Sequence, residues 1–130
     1  MSFRLTEAAD HDIERILQDT LELFGPYQFQ AYSDLIDQAL QRVGTDPQGL
    51  GTSKREDIGP GVRALRLDTV ARRRGSASHS VYYLPPEDGR GSVIIVLRVL
   101  HDRMELKHRV AWELLDNVDT EVDVLSGPKR

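Results

Sequence analysis

No cysteine occurs among the 130 residues. That excludes disulfides and thiolate metal sites and is compatible with a reducing compartment. No apolar run approaches the roughly 20 residues of a membrane span. The opening Met1-Ser2-Phe3-Arg4 lacks the apolar core of a secretory leader. The expectation is a soluble cytoplasmic protein. Lysine is scarce, with only Lys54 and Lys107 before Lys129. At a net charge of −4 and a pI near 5.5, bulk binding to nucleic acid is disfavoured, because it rests on many phosphate contacts. Apart from His101-Asp102 and His108, the four histidines show no ligand spacing with a carboxylate close by. Neither a metal nor a cofactor is expected. There are no internal repeats, and the length suits one domain that buries roughly two-thirds of its unfolded surface.

The charge that is present is segregated. Residues 1–50 carry three basic against nine acidic side chains, residues 51–109 twelve against seven, and residues 110–130 two against five. An acidic half, a basic half and an acidic tail imply one surface suited to an anionic partner.

Phe3-Arg4-Leu5 alternates as a short strand, and Thr6 stands where it can cap a helix over 7–24. Glu7 and Asp10 occupy its first turn, where the helix dipole favours anions. Ala9, Ile13, Ile16, Leu17, Thr20 and Phe24 form its apolar stripe. Gly25-Pro26 ends this helix and opens a second, striped by Phe29, Tyr32, Leu35, Ile36, Ala39, Leu40 and Val43 and ended by Gly44. So short a link makes an antiparallel helical hairpin. Residues 44–61, rich in glycine, read as a long surface loop. Leu65 and Leu67 alternate around Arg66 as a strand with one wet face. Val81-Tyr82-Tyr83-Leu84 is a further strand, ended by Pro85-Pro86 and the turn Glu87-Asp88-Gly89.

The densest signal is Val93-Ile94-Ile95-Val96-Leu97, a central strand within 92–100 buried on both faces. Arg98, His101 and Arg103 follow where it emerges, and a rigid strand ending in a basic cluster is a good mount for a site. Beyond it, Leu106, Val110, Leu114 and Val118, with Trp112 and Leu115 alongside, predict a third helix over about 105–117 before an acidic tail. That helix either covers an open face of the sheet or offers its stripe to a partner. The fold class is α+β: an N-terminal strand and antiparallel helical hairpin packed on an antiparallel sheet, with an extra C-terminal helix. Among the side chains, Arg72-Arg73-Arg74 is either a solvated loop or a contact for an anionic partner. His79 is either a half-buried imidazole bonded to the loop or part of a surface with Arg63 and Arg103. Tyr82 and Tyr83 face opposite sides of their strand, so one is expected in the core and the other open to a partner.

Five words occur in order. They are Phe3-x-Leu5-Thr6-x-Ala8-Ala9-x-x-Asp12-Ile13-x-x-Ile16, Phe24-Gly25-x-x-Gln28-x-x-x-Tyr32, Ile58-x-Pro60-Gly61-Val62-Arg63, His79-Ser80-Val81-Tyr82-Tyr83 and Arg98-Val99-Leu100-His101-Asp102-Arg103-Met104. Together they resemble the ParE branch of the RelE/ParE superfamily, the toxin halves of type II toxin–antitoxin modules. The resemblance covers roughly residues 3–109. It implies a toxin domain over 1–109 and a helical extension and acidic tail over 110–130. The chain departs from the family pattern in that extension and in the expanded turn between Leu67 and His79.

The resemblance implies a bacterial growth-arrest toxin that inhibits DNA gyrase by binding, with no catalytic residue of its own. A ParD-like antitoxin would neutralise it, in a homodimer or a toxin–antitoxin hetero-oligomer. The surface for target or antitoxin would draw on Arg63, Arg72, Arg73, Arg74, His79, Tyr83, Arg98, His101, Arg103 and Met104. An alternative is a RelE-like, ribosome-dependent mRNA endoribonuclease using Arg63, Arg98, His101 and Arg103, with His101 as acid or base. The lack of any tyrosine after Tyr83 and the few lysines count against it. A second alternative is an inactive family member that only binds antitoxin.

Overall fold

The computed structural model describes residues 2–73, 75, 77–86 and 93–104. The elements run β1 (Ser2–Leu5), α1 (Glu7–Phe24), α2 (Pro26–Thr45), β2 (Thr52–Lys54), β3 (Arg63–Arg66), α3 (Leu67–Val70), β4 (His79–Leu84) and β5 (Val93–His101). A 3₁₀ turn over Asp102–Met104 follows. The predicted third helix, the turn Glu87-Asp88-Gly89 and Arg74 lie outside the described residues, as does the side chain of Met104.

Thr6 joins strand to helix, as its position in the sequence implied. Its hydroxyl oxygen accepts the Ala9 N–H at 3.0 Å, capping α1, while the hydroxyl donates to the Leu97 carbonyl at 2.8 Å. Its own N–H reaches the Val96 carbonyl at 3.0 Å. One buried threonine thus satisfies a helix end and bolts that end to the central strand.

The strand order is β1-β5-β4-β3-β2. The β2/β3, β3/β4 and β4/β5 pairs are antiparallel, and β1 joins β5 in parallel. The hairpin of α1 and α2 packs on one face, where Ile36, Val43, Leu67, Val81, Tyr83, Ile94, Val96 and Val99 close the larger core. A second cluster on the other face holds Ile58, Val62, Ala64, Tyr82, Ile95, Leu97 and Leu100. β5 is therefore buried on both faces, as its unbroken apolar run requires.

Four readings need correction. The 44–61 loop contains β2, whose three residues are too few to show alternation and which exists because β3 offers it an edge. β3 stops at Arg66, and Leu67 opens the single-turn α3. Arg66 is exposed between the buried Leu65 and Leu67 as read, but Ala64, on the same side as Arg66, is buried, so the wet side is confined to the strand's end. α2 runs through the buried Gly44 to Thr45. Phe24, counted in the apolar stripe of α1, is 68% exposed at the hairpin tip.

Candidate functional site: a cleft at the end of the central strand

A β-bulge sets the site. Tyr82 pairs with Arg98 but Tyr83 pairs with Val96, so Leu97 is an extra residue on β5. A bulge of this kind re-aims the next side chain, and here Arg98 turns toward α1. Its Nε and Nη2 donate to the two carboxylate oxygens of Asp12 at 2.7 and 2.9 Å, and the Val99 N–H adds a third bond to Asp12 at 3.0 Å. Arg98 and Asp12 are 19% and 13% exposed. This bidentate pair clasps helix to strand and leaves the guanidinium little freedom to meet a phosphate.

His79 and His101 face each other across β4 and β5, ring centroids 5.3 Å apart and nearly perpendicular. The Tyr32 hydroxyl of α2 bonds His79 Nδ1 at 2.7 Å and accepts the Ser78 N–H at 3.4 Å. Burial, then the neighbouring His101, lowers the His79 pKa from 6.5 to about 4, while burial raises that of Tyr32. At neutral pH Tyr32 is therefore the donor and His79 Nδ1 the acceptor. His101 Nδ1 accepts the Arg103 N–H at 3.1 Å.

These groups bound a cleft of about 500 Å³ between the second half of α1 and the end of β5. Arg15, Ile16, Asp19, Leu23 and Phe24 form one wall and His79, Arg98, Val99, Leu100 and His101 the other. A second cleft of about 480 Å³ lies between α2 and the residues after α3, lined by Tyr27, Tyr32, Leu35, Arg72 and Arg73 among others. Tyr32 lines one cleft and His79 the other, so their hydrogen bond stands between the two.

The candidate residues do not all converge. Arg98, His101 and His79 share the first cleft, and the exposed Arg103 adjoins it; Arg72 and Arg73 belong to the second. Arg63 pairs with Tyr83, whereas Arg66, three residues on and about 10 Å along the strand, pairs with Ser80 beside His79. Arg63 instead donates to the Thr52 hydroxyl at 2.7 Å. The four-residue nuclease set is therefore not assembled. Tyr83 is fully buried and donates to the Pro47 carbonyl, and Tyr82 is buried as well. Neither tyrosine is open to a partner, because both faces of β4 carry core. Asp12 and Tyr32 went unassigned in the sequence, although both sit inside the ordered words. Leu23 was missed for lack of any local signal, since exposure at a helix end depends on what packs there.

The family described as "ParE toxin of type II toxin-antitoxin system, parDE" matches residues 3–106. The chain belongs to the ParE toxin family. The chain is similar to one from the "Chromosomal ParDE TA system from P. aeruginosa", at 25% identity and a TM-score of 0.55, over 78% of this chain and 95% of that one. It is also similar to a chain of the toxin–antitoxin complex RelBE2 from Mycobacterium tuberculosis, at 19% identity and a TM-score of 0.48, over 77% and 95%. No curated protein matches. The chain is a ParE-type toxin of a toxin–antitoxin system, and Arg98, Val99, Leu100 and His101 of its Arg-Val-Leu-His-Asp-Arg-Met ending line the first cleft. No described helix is long and apolar enough to cross a membrane.

Proposed function

We propose that this toxin stops growth by binding DNA gyrase without a chemical step and that a ParD-like antitoxin neutralises it. The observation that carries this reading is the commitment of the strand-end groups to internal contacts. Arg98 is held by Asp12, His79 is neutral against Tyr32, and Arg63 is elsewhere on the sheet. What faces outward is a shaped, partly apolar cleft, and grooves of this kind take the apolar side of an amphipathic helix. An antitoxin helix would seat two or three apolar anchors against Ile16, Leu23, Phe24 and Val99, with Arg15 and Asp19 on the rim. The purified chain is expected to block supercoiling by gyrase and to accumulate cleaved DNA. No effect at large excess over gyrase would overturn the gyrase assignment.

One observation favours a second reading. His101 lines the cleft beside the exposed Arg103, a pairing usable by a ribosome-dependent endoribonuclease. Translation in vitro with primer extension on the mRNA distinguishes the two. Cuts that vanish in His101→Ala or Arg103→Ala would replace the gyrase reading.

A further inference from the structure

The cleft between α2 and the residues after α3 takes no part in the binding surface proposed above. Its lining joins an exposed aromatic ring to two guanidinium groups. Tyr27, in the first turn of α2, is 81% exposed, so its ring contributes little to the core. Arg72 and Arg73, both exposed, line the same cleft from the other wall.

The chain presents these arginines on a tied loop. The Asp68 carboxylate accepts the Gly75 N–H at 2.7 Å, and the Asp68 carbonyl accepts the Ala71 N–H at 3.3 Å. Gly75 has a φ of +84°, a conformation that L side chains rarely adopt. Arg72 also lines a further cleft of about 620 Å³, together with Arg66. Residues 63–73 carry four arginines against one aspartate, and that aspartate is bonded to Gly75.

A guanidinium fork binds phosphate bidentately, and an exposed aromatic ring stacks on the face of any base. An acidic peptide would satisfy the arginines and leave the ring unused. An apolar segment would do the reverse. A nucleotide in a single strand supplies both groups at once, whereas a duplex hides its base faces. Gln28 and Gln38 add amides to the same wall as Tyr27, able to bond a sugar or a base edge. The acidic pI disfavours binding along many phosphates, but not at one or two. Asp34 is the one carboxylate on this lining, and it opposes a phosphate there.

We propose that the cleft between α2 and Arg72–Arg73 holds a single strand of DNA, with Tyr27 stacked on a base and the arginines on its phosphates. The choice of DNA rests on the gyrase reading, under which cleaved DNA accumulates and a cut end leaves one face of a base open.

Fluorescence anisotropy of a labelled oligothymidylate, titrated at low salt with the full chain, tests the site without gyrase. Its failure therefore leaves the gyrase reading standing, and a chain that binds the strand but spares gyrase keeps the site. Tyr27→Ala is expected to weaken binding at least about fivefold, the low end of one base–aromatic stack, with the melting temperature unchanged. Tyr27→Phe, which keeps the ring, is expected to retain binding. Arg72→Gln is expected to reduce the slope of log affinity against log salt by about 0.7, the share of one phosphate on a single strand. Asp34→Asn is expected to tighten binding. No saturable binding by about 1 mM protein, weaker than ordinary non-specific association, overturns the proposal. So does equal affinity in Tyr27→Ala, or tighter binding of the same strand in a duplex, either of which would reduce the contact to charge alone. Tighter binding of an oligouridylate would move the site to RNA. Displacement of the strand by an equal concentration of oligoglutamate would assign the arginines to an acidic protein segment, and either result overturns the proposal.

Discussion

His79 is the residue whose surroundings most change its chemistry. Burial and the adjacent His101 hold its pKa near 4, against 6.5 in an open chain. The unfolded chain therefore binds a proton between those values that the folded one refuses, and stability must rise with pH across the window. It is fully present at pH 7, falls as the pH drops from about 6.5 toward 4, and levels off below. The ring is partly open to solvent, so screening reduces the full linkage value to on the order of 2 kcal/mol. Asp102 and Asp12 favour the protonated ring and are already counted in that balance. His79→Gln is expected to flatten the pH 4–6.5 slope of the melting temperature relative to wild type, as followed by thermal denaturation in a buffer series. An unchanged slope would mean that another group sets the acid limb.

At the scale of elements, the turn at Gly25 decides how the two helices meet. Its φ is +91°, which L side chains rarely adopt, and a Cβ built there meets nothing within 4 Å. The requirement for glycine is thus backbone conformation alone. Its N–H closes α1 on the Leu21 carbonyl at 2.9 Å, and its carbonyl receives the Phe29 N–H at 3.0 Å, with Pro26 opening α2. Gly25→Ala is expected to destabilise by about 1 kcal/mol. The measurement is the denaturant midpoint, with an unchanged m-value showing that the unfolded state is not what moved. The Arg98–Asp12 clasp fixes the other end of the same packing. Arg98 reaches α1 because the bulge at Leu97 redirects it, while Thr6 holds the start of that helix at the same point on β5.

At the scale of the whole molecule, the hairpin tip gathers three of the exposed large apolar side chains among the described residues. Leu23, Phe24 and Tyr27 are 73%, 68% and 81% exposed. Leu23 and Phe24 line the cleft between α1 and β5, and Tyr27 lines the one beside α2. A surface residue with so little packing costs little to remove, whereas an aromatic anchor in a groove carries much of a binding energy. Phe24→Ser is expected to change folding stability by less than about 0.5 kcal/mol and to weaken binding of a ParD-like antitoxin at least about tenfold, or 1.4 kcal/mol. Titration calorimetry beside a melting curve reads both. Equal affinity with unchanged stability would move the antitoxin contact off the tip.

By itself the sequence determined what is local. The cap at Thr6, the helix over 7–24, the Gly25-Pro26 break, the buried run at 93–97 and the family words are written in adjacent residues, where periodicity and turn chemistry act. The tertiary structure decided everything that needs a partner from far along the chain. β2 is a strand only because β3 lies beside it, and Tyr82 and Tyr83 are both core because each face of β4 is covered. Arg98 turns from candidate catalyst to clasp because Asp12, 86 residues earlier, stands opposite it. Long-range pairing and burial carry no local pattern, so the side chains at the end of the central strand could be listed from the sequence, but their roles could not.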